Sequence, residues 1–497
     1  VLFIAIYAVL SSFSAHLPPN SDLKRLFNLK DSNTESRLIQ WGVALSGYKD
    51  HPIFGVGPEN YYIIGNKYYN PAIFQYDKSW FDKPHNYLLE ILVTDGIFGL
   101  LAYLGILFFV YWSFYRGYKA GFLSLFEFCV LACGLFVYQI QNLTVFDTVP
   151  ASLAFYAFMG FAGYIWVAAS PGALAKEKVK SKNNNTGGNI ALAASVAGVS
   201  LAVMAYVIYA ANIVPMEIAK AVNYGAAYSS VDPSSADAYF QRALSLPFNF
   251  DLTETANKYA DFAGSLSRTA TPANQDLADK INAESIAALN QALAVEPYYA
   301  ITWESLAEVY LFKGVKNGQL VSLDPGAEDA IDHAIALAPK REEAYLTLAQ
   351  IKAAEGDTAG AETVLKNMIA EFPLDPVVKT QLANLYRIEN KPDMAVSLME
   401  QAMDEGYTFS SYSQMQWIVA YYVQNKEFDK AIALQKEAET VEPTNIQVFE
   451  DLAVLYADAG QTQTAITLAQ NIIQADASTT PEMTQLINSL QQGSSPK

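Results

Sequence analysis

Trp80-Phe81-Asp82-Lys83-Pro84-His85-Asn86-Tyr87-Leu88-Leu89-Glu90 runs almost directly into the apolar stretch that opens at Gly96. An imidazole, an amide and charges of both signs are thus set at the lip of a membrane helix. Polar groups are costly there unless they have a task or a partner. His85 is one of four histidines in the chain. With an unperturbed pKa of ~6.5, an imidazole can take a proton near neutral pH. Lys83, Lys78 and, further upstream, Arg37 supply positive charge, and Asp82 or Glu90 could orient the imidazole. If a helix starts at Asn86, the gap from His85 to Glu90 need not leave the two on one face. The plainer reading of His85, beside Pro84 and Asn86, is a surface loop that caps the next helix. For Lys78 and Lys83 it is a solvated charge at headgroup level, next to Trp80 and Phe81.

The elements that must position these residues divide the 497-residue chain in two. Residues 1–216 carry 14 Lys+Arg and 12 Asp+Glu, a net of +2, and are crowded with apolar runs. Residues 217–497 carry 18 against 38, a net of −20. An acidic half of this kind excludes nucleic acid as its partner, because phosphates need a basic surface. A spanning helix needs ~20 mainly apolar residues, and the expected spans are 1–14, 96–115, 121–141, 150–169 and 189–212. Val1 opens inside an apolar run, so the expectation is a multi-pass membrane domain truncated at its N-terminus. Lys176, Lys178, Lys180 and Lys182, and separately Arg116 and Lys119, mark two cytoplasmic turns. Parity then puts the long loop 15–95, the 142–149 turn and the whole acidic half on the outer side.

The acidic half reads as a repeat array. Pro339, Pro373 and Pro443 are spaced by 34 and 70 residues, the period of tetratricopeptide units. Trp303-Leu306-Ala307-Tyr310, Leu382-Ala383-Tyr386 and Leu452-Ala453-Tyr456 mark first helices. Ala327, Ala361, Ala395, Ala431 and Ala465 mark the small position of the second helices, where paired helices approach closely. The expected fold is therefore all-α: a transmembrane helical domain, 1–216, followed by a tetratricopeptide-repeat α-solenoid. Within the solenoid, 217–299 holds degenerate helical repeats and 300–497 the regular ones, with an insertion near 311–324 and a terminal helix near 481–493. Such arrays bind peptides or protein surfaces and bring no nucleophile.

Several other chemistries find no support. Gly55-Val56-Gly57 has no following Gly-Lys-Ser/Thr, so it is not a phosphate loop. No pair of acids stands out as a glycosidase couple. His51, His85 and Glu90 lack metal-ligand spacing, and Cys129 and Cys133 have neither a His nor further Cys beside them. Tyr61, Tyr62, Tyr68, Tyr69 and Tyr76 are expected in an interfacial aromatic belt, with sugar stacking as the alternative.

Taken in order, Arg37 to Trp41, His51-Pro52 with Gly55-Val56-Gly57 and Asn60-Tyr61, Asp82-Lys83-Pro84-His85-Asn86, and Gly96 with Gly99-Leu100 form a recognisable set. Over about residues 1–170 it resembles the C-terminal part of the O-antigen ligase and polymerase-like membrane glycosyltransferases. The resemblance implies transfer of a glycan from an undecaprenyl-diphosphate carrier to a lipid, glycan or protein acceptor. The reaction would run on the outer face of a bacterial cytoplasmic membrane, without metal or nucleotide. It implies His85 as the catalytic residue, Arg37, Lys83 and Lys78 on the diphosphate, and Asp82, Asn86, Glu90 and Asn60 in support. Lys83 stands where such sequences often have Arg, which keeps the charge and loses the bidentate fork. Two rival readings remain: a glycan polymerase, and a non-enzymatic membrane-anchored scaffold whose array meets a protein partner.

Overall fold

The computed structural model describes residues 32–77, 81–143, 147–170, 186–249, 251–316, 319–373 and 375–492. The expected span 1–14, the lysines of the 171–185 connection and Lys78 lie outside these residues. Among the described residues the regular structure is helical apart from one two-stranded hairpin, and the chain divides into two compact units, Val1–Ala361 and Glu362–Lys497.

The first unit opens with three helices that carry the loop chemistry: α1 (Ser32–Tyr48), α2 (Tyr61–Lys67) and α3 (Tyr87–Thr94). They share a small core of Ala44, Tyr61, Ile64 and Val93. Gly47 permits the close approach of α1 to α2, since a Cβ there would stand 1.9 Å from Ile64 Cγ2. Three apolar helices follow, α4 (Gly96–Lys119), α5 (Leu125–Asn142) and α6 (Val149–Ala168). Ser124 and Glu127 start α5 with a reciprocal capping box. Val110, Phe114, Leu135, Ala162 and Ile165 are the buried seam of this bundle. Phe108, Phe126, Val137, Leu153 and Val167 point outward. An apolar surface of this extent suits lipid, as does the length of each helix.

The fourth long apolar helix departs from expectation. α7 (Thr186–Ile208) passes through one π-helical turn, Tyr209–Ile213, into α8 (Val214–Tyr228) without a break. The π turn precedes Pro215 in the first turn of α8, where the missing N–H is accommodated. The candidate span is accordingly Ala194–Tyr228, 35 residues. At 1.5 Å per residue that is ~50 Å, about 20 Å more than the hydrocarbon core. The excess leads straight into the repeats, so no loop separates the last span from the array.

Helix pairs then repeat. α8 pairs with α9 (Pro233–Ser245), α10 (Leu252–Thr269) with α11 (Gln275–Val295), and α12 (Ala300–Lys313) with α13 (Gly326–Leu337). The insertion between α12 and α13 is the hairpin β1 (Val315–Lys316) and β2 (Gln319–Leu320), with Val315 opposite Leu320. α14 (Glu342–Ala354) is followed by α15 (Thr358–Glu371), in which the division between the units falls. The second unit continues with α16 (Pro376–Ile388) on α17 (Pro392–Asp404), α18 (Tyr412–Gln424) on α19 (Phe428–Val441), and α20 (Ile446–Asp458) on α21 (Thr462–Ala475), closed by α22 (Thr480–Gln491). Ala327, Ala361, Ala395, Ala431 and Ala465 are all 0–1% exposed, so the small residues sit at the helix crossings.

Candidate functional site

The His85 loop is built on a backbone clasp between two segments. Gly55 and Gly96 both hold left-handed backbone, at φ +68° and +69°. The N–H groups of Val56 and Gly57 donate to the carbonyls of Val93 and Thr94 (3.1 and 2.7 Å), which end α3. In return the N–H of Ile97, opening α4, donates to Pro52 O at 2.9 Å. A Cβ on Gly55 would lie 2.3 Å from the Thr94 carbonyl, and one on Gly96 would lie 2.2 Å from Ile53 O. Both positions thus require glycine for space as well as for conformation. The Gly-Val-Gly segment has a definite role, fastening the α3–α4 junction to the end of α1.

On this frame stands His85, half-buried and left-handed at φ +52°. Such backbone is uncommon for a residue other than glycine and is a pointer to function. Its Nδ1 is 3.2 Å from Lys83 O, and its ring meets Phe81 edge-on at 5.3 Å. If Nδ1 carries the hydrogen, Nε2 is the basic nitrogen. Asn86 is buried, and its Oδ1 accepts from Leu89 N at 3.1 Å as the N-cap of α3. The capping role foreseen for this segment thus belongs to Asn86 and not to the imidazole.

Lys83 Nζ bridges Glu59 (2.9 Å) and Glu90 (3.3 Å). Glu90 is 7% exposed, and its Oε2 is buried with no hydrogen-bond partner. Burial pushes the Glu90 carboxyl up from its ordinary value, with Lys83 pulling it back. Burial would lower the Lys83 ammonium, but the hydrogen bond to Glu59 and the charge of Glu90 outweigh that and leave it raised. Glu90 therefore pairs with Lys83, and Asp82 is exposed. Asn60 serves the turn, its Nδ2 donating to Val56 O at 3.1 Å. Arg37 is half-buried on α1 with no ion-pair partner among the described residues.

Of the tyrosines expected in a belt, Tyr61 is instead core, and Tyr62 and Tyr68 have protein partners. Tyr61 is 1% exposed and faces Gln40, and burial pushes its hydroxyl well up. Tyr68 donates to Asp50 at 2.9 Å. Tyr62 meets Tyr299, at the start of α12, edge-on at 4.9 Å. The charge of Asp82 also reaches Tyr299. The His85 loop therefore abuts the repeats of the same unit.

A neighbouring polar cluster escapes the sequence reading. Tyr87, two residues past His85, packs edge-on against Tyr103 of α4 at 5.5 Å. The Tyr138 hydroxyl lies within reach of Tyr103 and donates to Asp147 Oδ2 at 3.2 Å, as does Ser152 Oγ at 2.9 Å. Asp147 Oδ1 is buried without a hydrogen-bond partner among the described residues. The available signal is an acid and an amide, Asp147 and Asn142, between two apolar helices. By position alone those residues read only as a turn. Among the described residues no three of His, Cys, Asp and Glu are placed to hold a metal ion.

Residues 1–104 match the O-antigen ligase family. That stretch contains the clasp, Arg37, Lys83 and His85, and it ends inside α4. No curated protein matches the chain. Among solved structures, a thermophilic TPR protein of Thermus thermophilus aligns at 19% identity over 38% of this chain and 91% of its own, TM-score 0.30. A tetratricopeptide repeat protein of Parabacteroides merdae aligns at 15% over 48% and 98%, TM-score 0.28. Yeast Tom70 aligns at 13% over 92% and 95%, TM-score 0.31. The chain thus joins an O-antigen-ligase-like region to membrane-capable helices and a tetratricopeptide-type array.

Proposed function

We propose that this protein is a membrane glycan ligase that transfers an oligo- or polysaccharide from an undecaprenyl-diphosphate carrier to an acceptor on the outer face of the cytoplasmic membrane. The observation that carries this reading is the imidazole of His85, held in left-handed backbone at the head of α3–α4 within the family-matched stretch. In the step proposed, Nε2 takes the proton of the acceptor hydroxyl while its oxygen attacks the anomeric carbon. The bond from that carbon to the phosphate oxygen breaks, and the lipid diphosphate leaves with the electron pair. General-base assistance of this kind contributes ~10²–10⁴-fold.

The developing charge on the diphosphate needs a cation. Arg37 is the less engaged of the described candidates, since Lys83 already faces two carboxylates. Lys83 would serve by exchanging the exposed Glu59 for a phosphate oxygen. Lys78 is retained as a third candidate.

Among the described residues four candidate spans lie between the His85 loop and the array, an even number that would return the chain to the same side. The contact of Tyr62 with Tyr299 supports that arrangement. It favours a ligase whose array brings the acceptor to the loop, over a polymerase or a scaffold.

The test is transfer by the full-length gene product from a lipid-diphosphate-linked glycan to a panel of acceptors. His85→Asn is the informative variant, because Asn tolerates left-handed backbone and removes only the base. Transfer should fall ~10²–10⁴-fold with unfolding unchanged. Undiminished transfer would return His85 to a structural role. A panel on which even the wild type is silent would move the weight to the scaffold.

A further inference from the structure

The second unit carries 8 Lys+Arg against 18 Asp+Glu, yet residues 406–425 contain none of the four. Of the first helices in the described pairs, α18 alone bears no charge. Beside it, between α16 and α18, lies a cavity of about 620 Å³. That is within the ~300–1,000 Å³ range of small-ligand sites. No carboxylate lines it, although the surrounding array is acidic. Its one charge is Arg387, whose guanidinium stands 5.9 Å from the centre of the Trp417 ring. Tyr407 and Phe409 meet edge-on at 5.2 Å on the connection that enters α18. Gln381 and Asn384 of α16 contribute side-chain amides with no hydrogen-bond partner among the described residues.

Each of these features selects against some ligands. Aromatic rings offer flat apolar faces and leave the rest of the ligand to polar groups. The apolar C–H face of a pyranose fits such a surface. An amide both donates and accepts, so two neighbouring amides can read vicinal hydroxyls, each of which also does both. A charged peptide segment would need counter-charges along the groove, and α18 has none. A guanidinium matches a carboxylate with two parallel hydrogen bonds.

We propose that this cavity is a saccharide-binding site, in which Trp417 and Tyr407, the latter backed by the buried Phe409, stack on sugar rings, Gln381 and Asn384 read hydroxyls, and Arg387 receives the carboxylate of an acidic sugar. The inference rests on the ligase reading only in taking the bound saccharide to be the chain being joined. Binding itself requires no transfer step.

Calorimetric titration of the full chain in nanodiscs tests it, with trigalacturonate as the acidic probe and maltotriose as the neutral one. Trigalacturonate should bind saturably and more tightly than maltotriose. The double variant Gln381→Ala/Asn384→Ala should weaken both at least tenfold. Arg387→Gln should bring trigalacturonate down to the affinity of maltotriose and leave maltotriose unchanged. These side chains border an open cavity, and circular dichroism melting of each variant should superpose on wild type. Absence of binding by both probes, or affinities untouched by the substitutions, would overturn the site. So would a Ser/Gln-rich peptide that occupies it when neither saccharide does. Transfer measured on the same variants separates the two proposals. Intact transfer with no saccharide bound sinks only this one, and lost transfer in His85→Asn with binding intact supports both.

Discussion

Lys83 and Arg341 each face a buried glutamate, and the settings differ in what they permit. Arg341, just before α14, donates from Nε to Glu304 of α12 at 2.7 Å, with both side chains 9% exposed. Burial pushes the Glu304 carboxyl up to about 7, against the pull of Arg341. This pair ties one repeat to the next across 37 residues, and the half-exposed Glu343 stands 3.7 Å from the same Nε. Lys83 is 22% exposed, and one of its two partners, Glu59, is 77% exposed on a left-handed turn at φ +63°. An exposed ion pair is worth ~0–1 kcal/mol and is readily exchanged. The difference lies in the cation: Arg341 is closed off with Glu304, whereas Lys83 is more open and its closer carboxylate is the exposed one, which suits the diphosphate role proposed for it.

The sharpest break of this comparison is Arg341→Met. It leaves the buried Glu304 carboxylate without its counter-charge and under the like charges of Glu308 and Glu343, and should cost about 3–5 kcal/mol, read as a lower denaturation midpoint of the full chain. Next comes pH. Glu304 titrates near 4.5 when exposed and about 7 when folded, so the folded state keeps its proton where the unfolded state loses it. Its share of stability is complete below pH 4.5 and is lost as pH rises through 7, on the order of 3 kcal/mol in all. Glu304→Gln should flatten that part of the stability–pH curve. An unchanged slope would show that Arg341 keeps the carboxylate ionised throughout.

Much of the array was legible because its information is local and periodic. Prolines one and two periods apart and an alanine at each helix crossing need no long-range knowledge to read. The ends of α4, α5 and α6 were also legible, to within a few residues, from the length of the apolar runs. The junction of α7 with α8 was not, because the apolar run ends near residue 212 and the π turn that carries the helix onward leaves no composition signal. For the site, residue types marked His85, but partners could not be read off. Glu90 meets Lys83 across a loop whose path depends on the clasp, and Tyr138 meets Asp147 only after α4, α5 and α6 pack. Tyr61 looked interfacial because the small core of α1, α2 and α3 that buries it has no periodic signature.

The clasp gives the next smaller effect. Gly96→Ala adds a Cβ 2.2 Å from Ile53 O at positive φ, so strain of ~1–3 kcal/mol falls on the link between α3 and α4. The array's own transition should be unmoved, and glycan transfer should drop with it if His85 depends on that link for its place. Full transfer in a destabilised Gly96→Ala would separate the clasp from catalysis.

The smallest stability effect, and the most telling, is at Lys83. Lys83→Met removes a half-exposed cation whose two carboxylates can respond, Glu59 by staying in water and Glu90 by taking up a proton, which burial already favours. Stability should therefore change by no more than ~1 kcal/mol, far less than for Arg341→Met. Transfer should nonetheless fall by roughly 10-fold or more if Lys83 meets the diphosphate, a loss in line with removing one charge-stabilising donor. Lys83→Arg should restore most of it, because the charge returns and the fork suits phosphate. Were Lys83→Met to cost as much stability as Arg341→Met and leave transfer intact, the loop pair would be as structural as the array pair. The contrast between the two cations would then be lost, and Arg37 would remain the described candidate for the leaving diphosphate.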